Sequence, residues 1–330
     1  MGYKHLSLEE RYYLEIAKKA GKTLTEIASD MDRSQSTLSR ELIRNTGQRG
    51  YRHKQAMRLA QERHATKPKQ VKLTESVKER ITSFLRKDWS PEQIAGRLSV
   101  KGEISLHYET IYQYILADKQ AGGDLYKHLR HQNKTYRKRY GHPRNRTGIP
   151  NRVDIDERPE IANQRGRVGD WEADTIIGKN HKGAIVTLDE RKSKLRLAAP
   201  LKGKKAKLVT EAMTKLLHPF QRFVQTITFD NGKEFAGHEL IAERLSCNTY
   251  FAKPYHSWER GQNENANGLL RQYFPKLMEL IDIANDAVIE AIHKLNDRPR
   301  KCLQFKTPYE VFEELTGINA KQLWGHALMT

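Results

Sequence analysis

Cysteine is almost missing: Cys247 and Cys302 are the only two in 330 residues, and neither has a Cys-x-x-Cys or Cys/His spacing around it. That excludes a disulfide framework and a zinc knuckle, and fits a reducing compartment. Long apolar runs are missing too. No stretch approaches the roughly 18 residues of a membrane helix, and no charged-then-apolar leader opens the chain, so it is expected to be neither membrane-spanning nor secreted, and cytoplasmic. Acid is scarce in one half only: residues 1–152 carry 32 Lys plus Arg against 16 Asp plus Glu, and residues 153–330 carry 27 against 24. The net charge of +19 therefore sits mostly in the front half and points to a polyanionic partner rather than to a fold. A membrane surface is the weaker candidate, because no basic helix carries a broad apolar face. A chain of this length holds two or three domains.

What is present in the front half is a series of short, well-punctuated helices. Ser7 is placed to cap a helix over Leu8–Lys19, with Leu8, Tyr12, Ile16 and Ala20 as its amphipathic stripe and Gly21 as its stop. Thr23 or Thr25 caps a second through Ile27, Ala28 and Met31. Ser34 caps a third over Gln35–Arg44, with Leu38 and Leu42 facing inward. Two helices and a tight turn ahead of a polar helix make a helix-turn-helix. Its third helix would bring Gln35, Ser36, Thr37, Ser39, Arg40 and Arg44 to the major groove. The plainer alternative is a three-helix bundle with a solvated polar helix.

A second unit of the same shape follows. Thr74 caps residues 74–87, Ser90 caps the next helix with Pro91 in its first turn, and residues 104–115 supply a recognition helix that would present His107, Tyr108, Thr110 and Gln113 to DNA. Between the units lies a basic connector with one acid, Glu62, helical over 51–65, which either tracks phosphates or is a solvated linker. Residues 125–153 hold nine Lys or Arg and no acid, with Gly and Pro interrupting any helix. They read as a tether whose Arg137, Lys138, Arg139, Arg144 and Arg146 lie along the phosphate backbone.

The back half carries acids in legible settings. Thr-Phe-Asp-Asn-Gly (228–232) places Asp230 at the tip of a strand, because β-branched and aromatic residues precede a turn signal. Asp174 belongs to a strand over 169–178 whose alternation puts Asp170, Glu172 and Asp174 on one face. Glu264 is separated from Asp230 by 33 residues, and lies between Gln-Asn and Asn-Ala-Asn-Gly on a helix whose one face carries Arg260, Glu264, Asn267, Gly268 and Arg271. Three carboxylates from a strand, a strand end and a helix are a ligand set for two Mg²⁺ ions, with Mn²⁺ as a substitute, and such a site cuts or joins phosphodiesters. Asp170, Glu172, Asp189, Glu190 and Glu234 are lesser candidates, more simply read as solvated acids or partners of nearby cations. Lys253, Arg260, Asn267 and Arg271 would hold the DNA strand beside the acids. His256 and Trp258 join that group, with core packing the alternative for Trp258. Strands at 169–178, 183–189, 194–201, 224–230 and 248–252, with helices at 204–217 and 234–245, have the order of an RNase H-like mixed sheet.

The run Trp258–Lys276, with Arg-Gly-Gln-Asn-Glu-Asn-Ala-Asn-Gly-Leu-Leu-Arg-Gln-Tyr-Phe-Pro-Lys inside it, resembles the glutamate motif of the DDE transposases of the bacterial IS-thirty insertion-sequence family. Asp174 and Asp230 match its aspartate motifs, residues 105–115 resemble its Ser-x-x-Thr-Ile-Tyr-x-x-Ile pattern, and Arg298–Glu310 resembles the segment closing the catalytic domain. The resemblance spans about residues 5–315. It implies an all-α helix-turn-helix DNA-binding region followed by an α/β RNase H-like core, with Asp174, Asp230 and Glu264 as catalytic and metal-binding residues. It implies cleavage and strand transfer on terminal inverted repeats and target DNA, by a homodimer or higher oligomer at the bacterial nucleoid. The expected domains are a first helix-turn-helix at 1–50, a basic connector at 51–73, a second unit at 74–124, a basic linker at 125–160, the catalytic core at 161–318 and a tail at 319–330. A DNA-binding regulator on a retired nuclease scaffold, and a plain nuclease, are the alternatives.

Overall fold

The structure, a computed structural model, describes residues 5–66, 72–130, 149–253 and 261–329. It divides into two units, Met1–Val71 and Lys72–Thr330.

Hydroxyl side chains start the helices of the first unit. Ser7 caps α1 (Leu8–Lys19), Thr23 caps α2 (Leu24–Asp30) and Ser34 caps α3 (Gln35–Asn45). At Ser7 and Thr23 a glutamate three residues on reaches back to the cap's own N–H, so each start satisfies two otherwise orphaned donors, and each cap contributes about 1 kcal/mol. Leu14, Ala17, Ile27, Ala28 and Leu38 form the core. The expected stripe of α1 does not feed that core: Leu8, Tyr12 and Ile16 are 42%, 51% and 46% exposed, and Arg11, Leu14 and Ala17 are buried instead. A charge sets this rotation. Arg11 turns inward to Glu41 at 2.7 Å and to Met57 Sδ at 3.2 Å, and a buried guanidinium tolerates no face but the one carrying its carboxylate. Met57 lies on α4 (His53–Thr66), which packs on α1 and α3. The stretch expected as a connector is thus partly a fourth helix of this unit. Glu15 accepts from the His53 backbone N–H at 2.8 Å and from its ring Nδ1 at 2.6 Å, while Arg63 donates to the Arg44 carbonyl at 2.7 Å and so caps the end of α3.

The second unit opens with α5 (Glu75–Arg86), α6 (Pro91–Val100) and α7 (Tyr108–Gln120), capped by Thr74, Ser90 and His107. Ile81, Leu85, Ile94, Leu98, Ile111 and Ile115 fill the space between them, and Trp89 stacks on Phe84 at 4.5 Å. A short 3₁₀ turn at Leu125–His128 closes this bundle through Leu125, so the start of the expected linker is packed structure. Its other end is packed too: Phe251 N–H donates to the Val153 carbonyl at 2.9 Å, and Arg158 donates to Thr228 Oγ1 at 2.9 Å, just before the short α8 (Glu160–Asn163).

The sheet has the order β3-β2-β1-β4-β5, built from β1 (Asp170–Ile177), β2 (Ala184–Glu190), β3 (Arg196–Leu201), β4 (Thr226–Phe229) and β5 (Asn248–Phe251). The first three strands run as an antiparallel meander, and β4 and β5 run parallel to β1. This is the RNase H-like arrangement. Parallel neighbours require crossover helices, supplied by α9 (Ala206–Leu217) and α10 (His238–Leu245). Alternation along β1 sends Trp171 to one face, where it meets Phe220, which in turn meets Phe312 of α13 (Pro308–Thr316). The opposite face receives α11 (Gly261–Leu270). Beside it, α12 (Asn285–Asn296) covers the open edge of β3, where Asn296 bonds both backbone groups of Arg196 at 3.0 and 2.7 Å. The segment expected as a tail is α14 (Ala320–Met329), whose Trp324 is wholly buried in the core.

Candidate active site and DNA-facing helices

Register brings two of the acids together. In the parallel β1–β4 pair Glu172 lies opposite Thr228, the last paired position, and Asp174 and Asp230 each follow two residues further along, so both acids stand toward the same end of neighbouring strands. Each carboxylate is partly fixed by its own backbone. Asp174 Oδ1 accepts from Thr175 N–H at 2.8 Å, and Asp230 Oδ1 accepts from Gly232 N–H at 2.8 Å. The third acid, Glu264, lies on α11, which crosses above β1; its side chain is outside the described atoms. Among the described residues no three His, Cys, Asp or Glu side chains group closely enough to hold a metal ion.

The helix is anchored over the acids by an amide. Asn267 Nδ2 donates to Asp174 Oδ2 at 2.8 Å, and its Oδ1 accepts from Arg196 at 3.0 Å and Thr187 at 3.3 Å. Asn267, expected at the DNA strand, reaches into the acid site. Arg271 also turns inward, donating to the carbonyl of Ile177 at 2.9 Å. Gly268 has the Arg130 guanidinium 2.8 Å from where a Cβ would stand. Lys253 pairs with Asp156 at 2.5 Å.

The lesser acid candidates are buried and partnered rather than solvated. Arg167 and the Thr226 hydroxyl hold Asp170, Arg191 holds Glu172, and Arg196 holds Asp189 through both oxygens at 2.7 and 2.6 Å. Glu190 accepts from Ser193 N–H and Oγ, both at 2.6 Å, yet burial pushes its carboxyl above the ordinary carboxylate range. Glu234 is the exception that touches the site. It accepts from Thr175 Oγ1 at 3.0 Å and pairs with Lys204. Burial alone would raise its pKa, but the Lys204 ammonium and the Thr175 hydroxyl hold it below the ordinary value. Lys204 and Arg196 carried no signal of their own, although Arg196 standing opposite Asp189 across β2–β3 is the opposite-charge pairing that adjacent strands favour.

On α3, Gln35, Ser36, Arg40 and Arg44 are exposed, whereas Thr37 and Ser39 are half-buried, and the Thr37 hydroxyl is 2.8 Å from the capping Ser34. On α7 His107 serves as the cap, accepting from Glu109 N–H at 3.3 Å, and Gln113 donates to Glu109 at 2.8 Å. Tyr108 remains exposed and Thr110 is half-buried. Arg137, Lys138, Arg139, Arg144, Arg146, His256, Trp258 and Arg260 lie outside the described residues.

Comparison with known proteins adds an independent line. A family model described as a helix-turn-helix domain matches residues 2–45. The transposase for insertion sequence element IS4351 of Bacteroides fragilis is 44% identical over 96% of this chain and 98% of its own length. The transposase InsI for insertion sequence element IS30A of Escherichia coli K12 is 34% identical over 94% and 83%. This chain belongs to the IS30 family of insertion-sequence transposases. A further member, the transposase for insertion sequence element IS1086 of Cupriavidus metallidurans, is 33% identical over 95% of both chains. Among solved structures, the catalytic core domain of BIV integrase is 25% identical, covering 44% of this chain and 95% of that one with a TM-score of 0.35. The RNase H-like assignment of this transposase rests on its own strand order. No helix among the described residues is long and apolar enough to cross a membrane.

Proposed function

We propose that this transposase binds the terminal inverted repeats of an insertion sequence through α3 and α7, and cuts and joins DNA at a site built on Asp174, Asp230 and Glu264. The observation that supports the reading is the β1–β4 register, with Glu172 opposite Thr228 and Asp174 and Asp230 each two residues beyond, on parallel strands in the same sheet as the β1 that packs against the Glu264 helix. Carboxylates are the hard oxygen donors that Mg²⁺ and Mn²⁺ prefer, and each ionised carboxylate has about four lone-pair sites. Asp174, Asp230 and Glu264 would hold two such cations. Bound there, they would lower the cost of activating water or a DNA 3′-hydroxyl and of releasing the leaving 3′-oxygen.

The protein's own part is orientation. Asn267 fixes the Asp174 carboxylate from above and the Gly232 N–H fixes Asp230 from the side, so neither acid must reorganise when the strand arrives. The basic front half holds the duplex by neutralising phosphates, while exposed donors such as Gln35 and Arg40 read base edges. Joining element ends to target DNA calls for more than one core, so the working form is a homodimer or larger oligomer, acting on DNA of the bacterial nucleoid.

The test is an end-cutting and joining assay with Mg²⁺, using Asp174→Asn, Asp230→Asn and Glu264→Gln. Each neutral isostere is expected to abolish both reactions while leaving repeat binding intact. Strand transfer surviving in Asp230→Asn would overturn the assignment. A wild-type protein that binds but does neither reaction is a regulator, and one that cuts without joining is a nuclease.

A further inference from the structure

We infer that the cavity bounded by α11, the β2–β3 turn and residues 300–302 is a binding pocket for a backbone phosphate of the DNA strand being processed. It rests on the cutting-and-joining reading above and gives that site a second point of contact. The cavity holds about 250 Å³ and is lined by Arg165, Lys194, Arg196 and Arg300, with Ala266 and Leu269 of α11 forming an apolar wall. That volume is below the roughly 300–1,000 Å³ of sites that take drug-sized molecules, and suits a single compact anionic group.

Charge identifies the group. Four cations line the cavity, and Asp189 is the one acid among the described lining residues. Both its oxygens are engaged by Arg196. The Lys194 ammonium donates to the Arg191 carbonyl, and Arg300 donates to the Leu295 carbonyl at 2.9 Å. Burial, and then the nearby Arg165, push the Lys194 ammonium down to about 8, and burial, followed by Arg298 and Arg196, pushes Arg300 down to about 10. An arginine fork with an ammonium beside it offers several donors to one anion, which matches phosphate oxygens.

Position identifies the source. Arg196 lines the cavity and reaches the acid site at once: it donates to the Ala266 carbonyl at 2.8 Å and to Asn267 Oδ1 at 3.0 Å, and Asn267 in turn donates to Asp174 at 2.8 Å. Along the sheet, Asp174 faces Thr187, Thr187 faces Ala198, and Arg196 lies two residues further, a separation on the order of 10 Å from strand spacing and rise. A phosphate held there belongs to the same strand end whose neighbouring phosphodiester lies at the acids.

The experiment uses the full chain and an amine-acylating reagent near pH 8, with Lys194 modification read by mass spectrometry. The protein is labelled alone, with millimolar inorganic phosphate, and with a saturating duplex carrying the element end. Duplex binding by Arg165→Gln and Lys194→Gln is measured across salt in parallel. The expected result is protection of Lys194 by the duplex well beyond that given by inorganic phosphate, with the log–log salt slope lower by about 1 in each variant. Equal protection by inorganic phosphate assigns the cavity to a free anion and overturns the DNA source. Unchanged labelling with unchanged slopes overturns the pocket. If the wild type meanwhile joins DNA, the pocket alone has failed; if it neither binds nor joins the duplex, the transposition reading has failed and the pocket with it.

Discussion

Arg97 on α6 holds Glu310 on α13 with both ends of its guanidinium, one of them at 3.0 Å, and donates to the Phe305 carbonyl at 3.0 Å as well. These residues are more than 200 positions apart, and they join the second helical bundle to the catalytic core. The surrounding contacts agree. The Phe305 ring lies against Gly96, 2.2 Å from where a Cβ would stand, so only glycine fits that point of α6. Asp88 accepts from the Tyr273 hydroxyl at 2.9 Å, and Lys301 reaches Glu92 at 2.7 Å. Whatever α7 binds is therefore held at a set distance from Asp174.

Breaking that joint should separate binding from cutting. Arg97→Ala and Glu310→Ala, measured with their double mutant by denaturant unfolding, should show a coupling energy of roughly 1–3 kcal/mol, as expected for a two-point charge-assisted contact. Arg97→Glu should bind repeat duplex normally but cut at scattered positions, and adding Glu310→Arg should restore a single position. Uniform cutting by Arg97→Glu would show that the joint does not set the distance.

Asn267→Leu removes the amide from Asp174 and leaves Arg196 without one acceptor. Joining should fall by about 10–100-fold, the usual consequence of losing a group that orients a metal-binding carboxylate, with duplex affinity unchanged. A pH–rate profile separates orientation from packing: loss of the donated hydrogen bond should move the acid limb upward. A fall in rate with an unmoved profile would reduce Asn267 to a packing role.

Gly232 sits where Asp230 and Glu234 converge; a Cβ there would stand 2.7 Å from Asp230 Oδ1 and 2.5 Å from Glu234 Oε2. Gly232→Ala should leave the thermal midpoint within a few degrees, yet cut joining by at least tenfold, because the displaced group is the site carboxylate itself. Equal activity in wild type and variant would mean that Asp230 accommodates the methyl without loss.

Lys194 makes a pH-dependent prediction. Its folded pKa of about 8 lies below the unfolded value of about 10.4, so between those limits the unfolded chain binds more protons and stability rises with pH across that window. Below pH 8 both states are protonated and the burial penalty is present in full. Arg165 deepens the penalty, and Cys302, Glu190 and Glu172 ease it. Lys194→Met should raise DNA-free stability at pH 7 by about 1–2 kcal/mol once solvent screening is allowed for, and should flatten the rise between pH 8 and 10. Stability at pH 7 that falls in the variant would show the ammonium to be well paired.

Arg40 is exposed on α3, three residues from the half-buried Thr37 and next to Ser39. Competition over single-base variants of the repeat should show Arg40→Ala losing about 1–3 kcal/mol and its preference at one base pair, while truncating a phosphate-contacting lysine weakens every sequence alike. A uniform loss for Arg40→Ala assigns it to the backbone and moves specificity to α7.

Much of this chain is local, and what is local was legible. Ser7, Thr23, Ser34, Thr74 and Ser90 mark helix starts because their hydroxyls bond N–H groups two or three residues away. The alternation in β1 and the Asp-Asn-Gly after β4 place Asp174 and Asp230 because a strand's side-chain period is two. The charge split needed only counting. What the tertiary structure decided depends on partners far along the chain. α1 turns its Tyr12 face outward because Arg11 needs Glu41, 30 residues on. Asn267 meets Asp174 because α11 settles over β1, 93 residues back. Arg196 belongs to a pocket only because β3, α11 and residues 300–302 meet there. Periodicity specifies which face of an element is special, but only the packed neighbour specifies what that face meets.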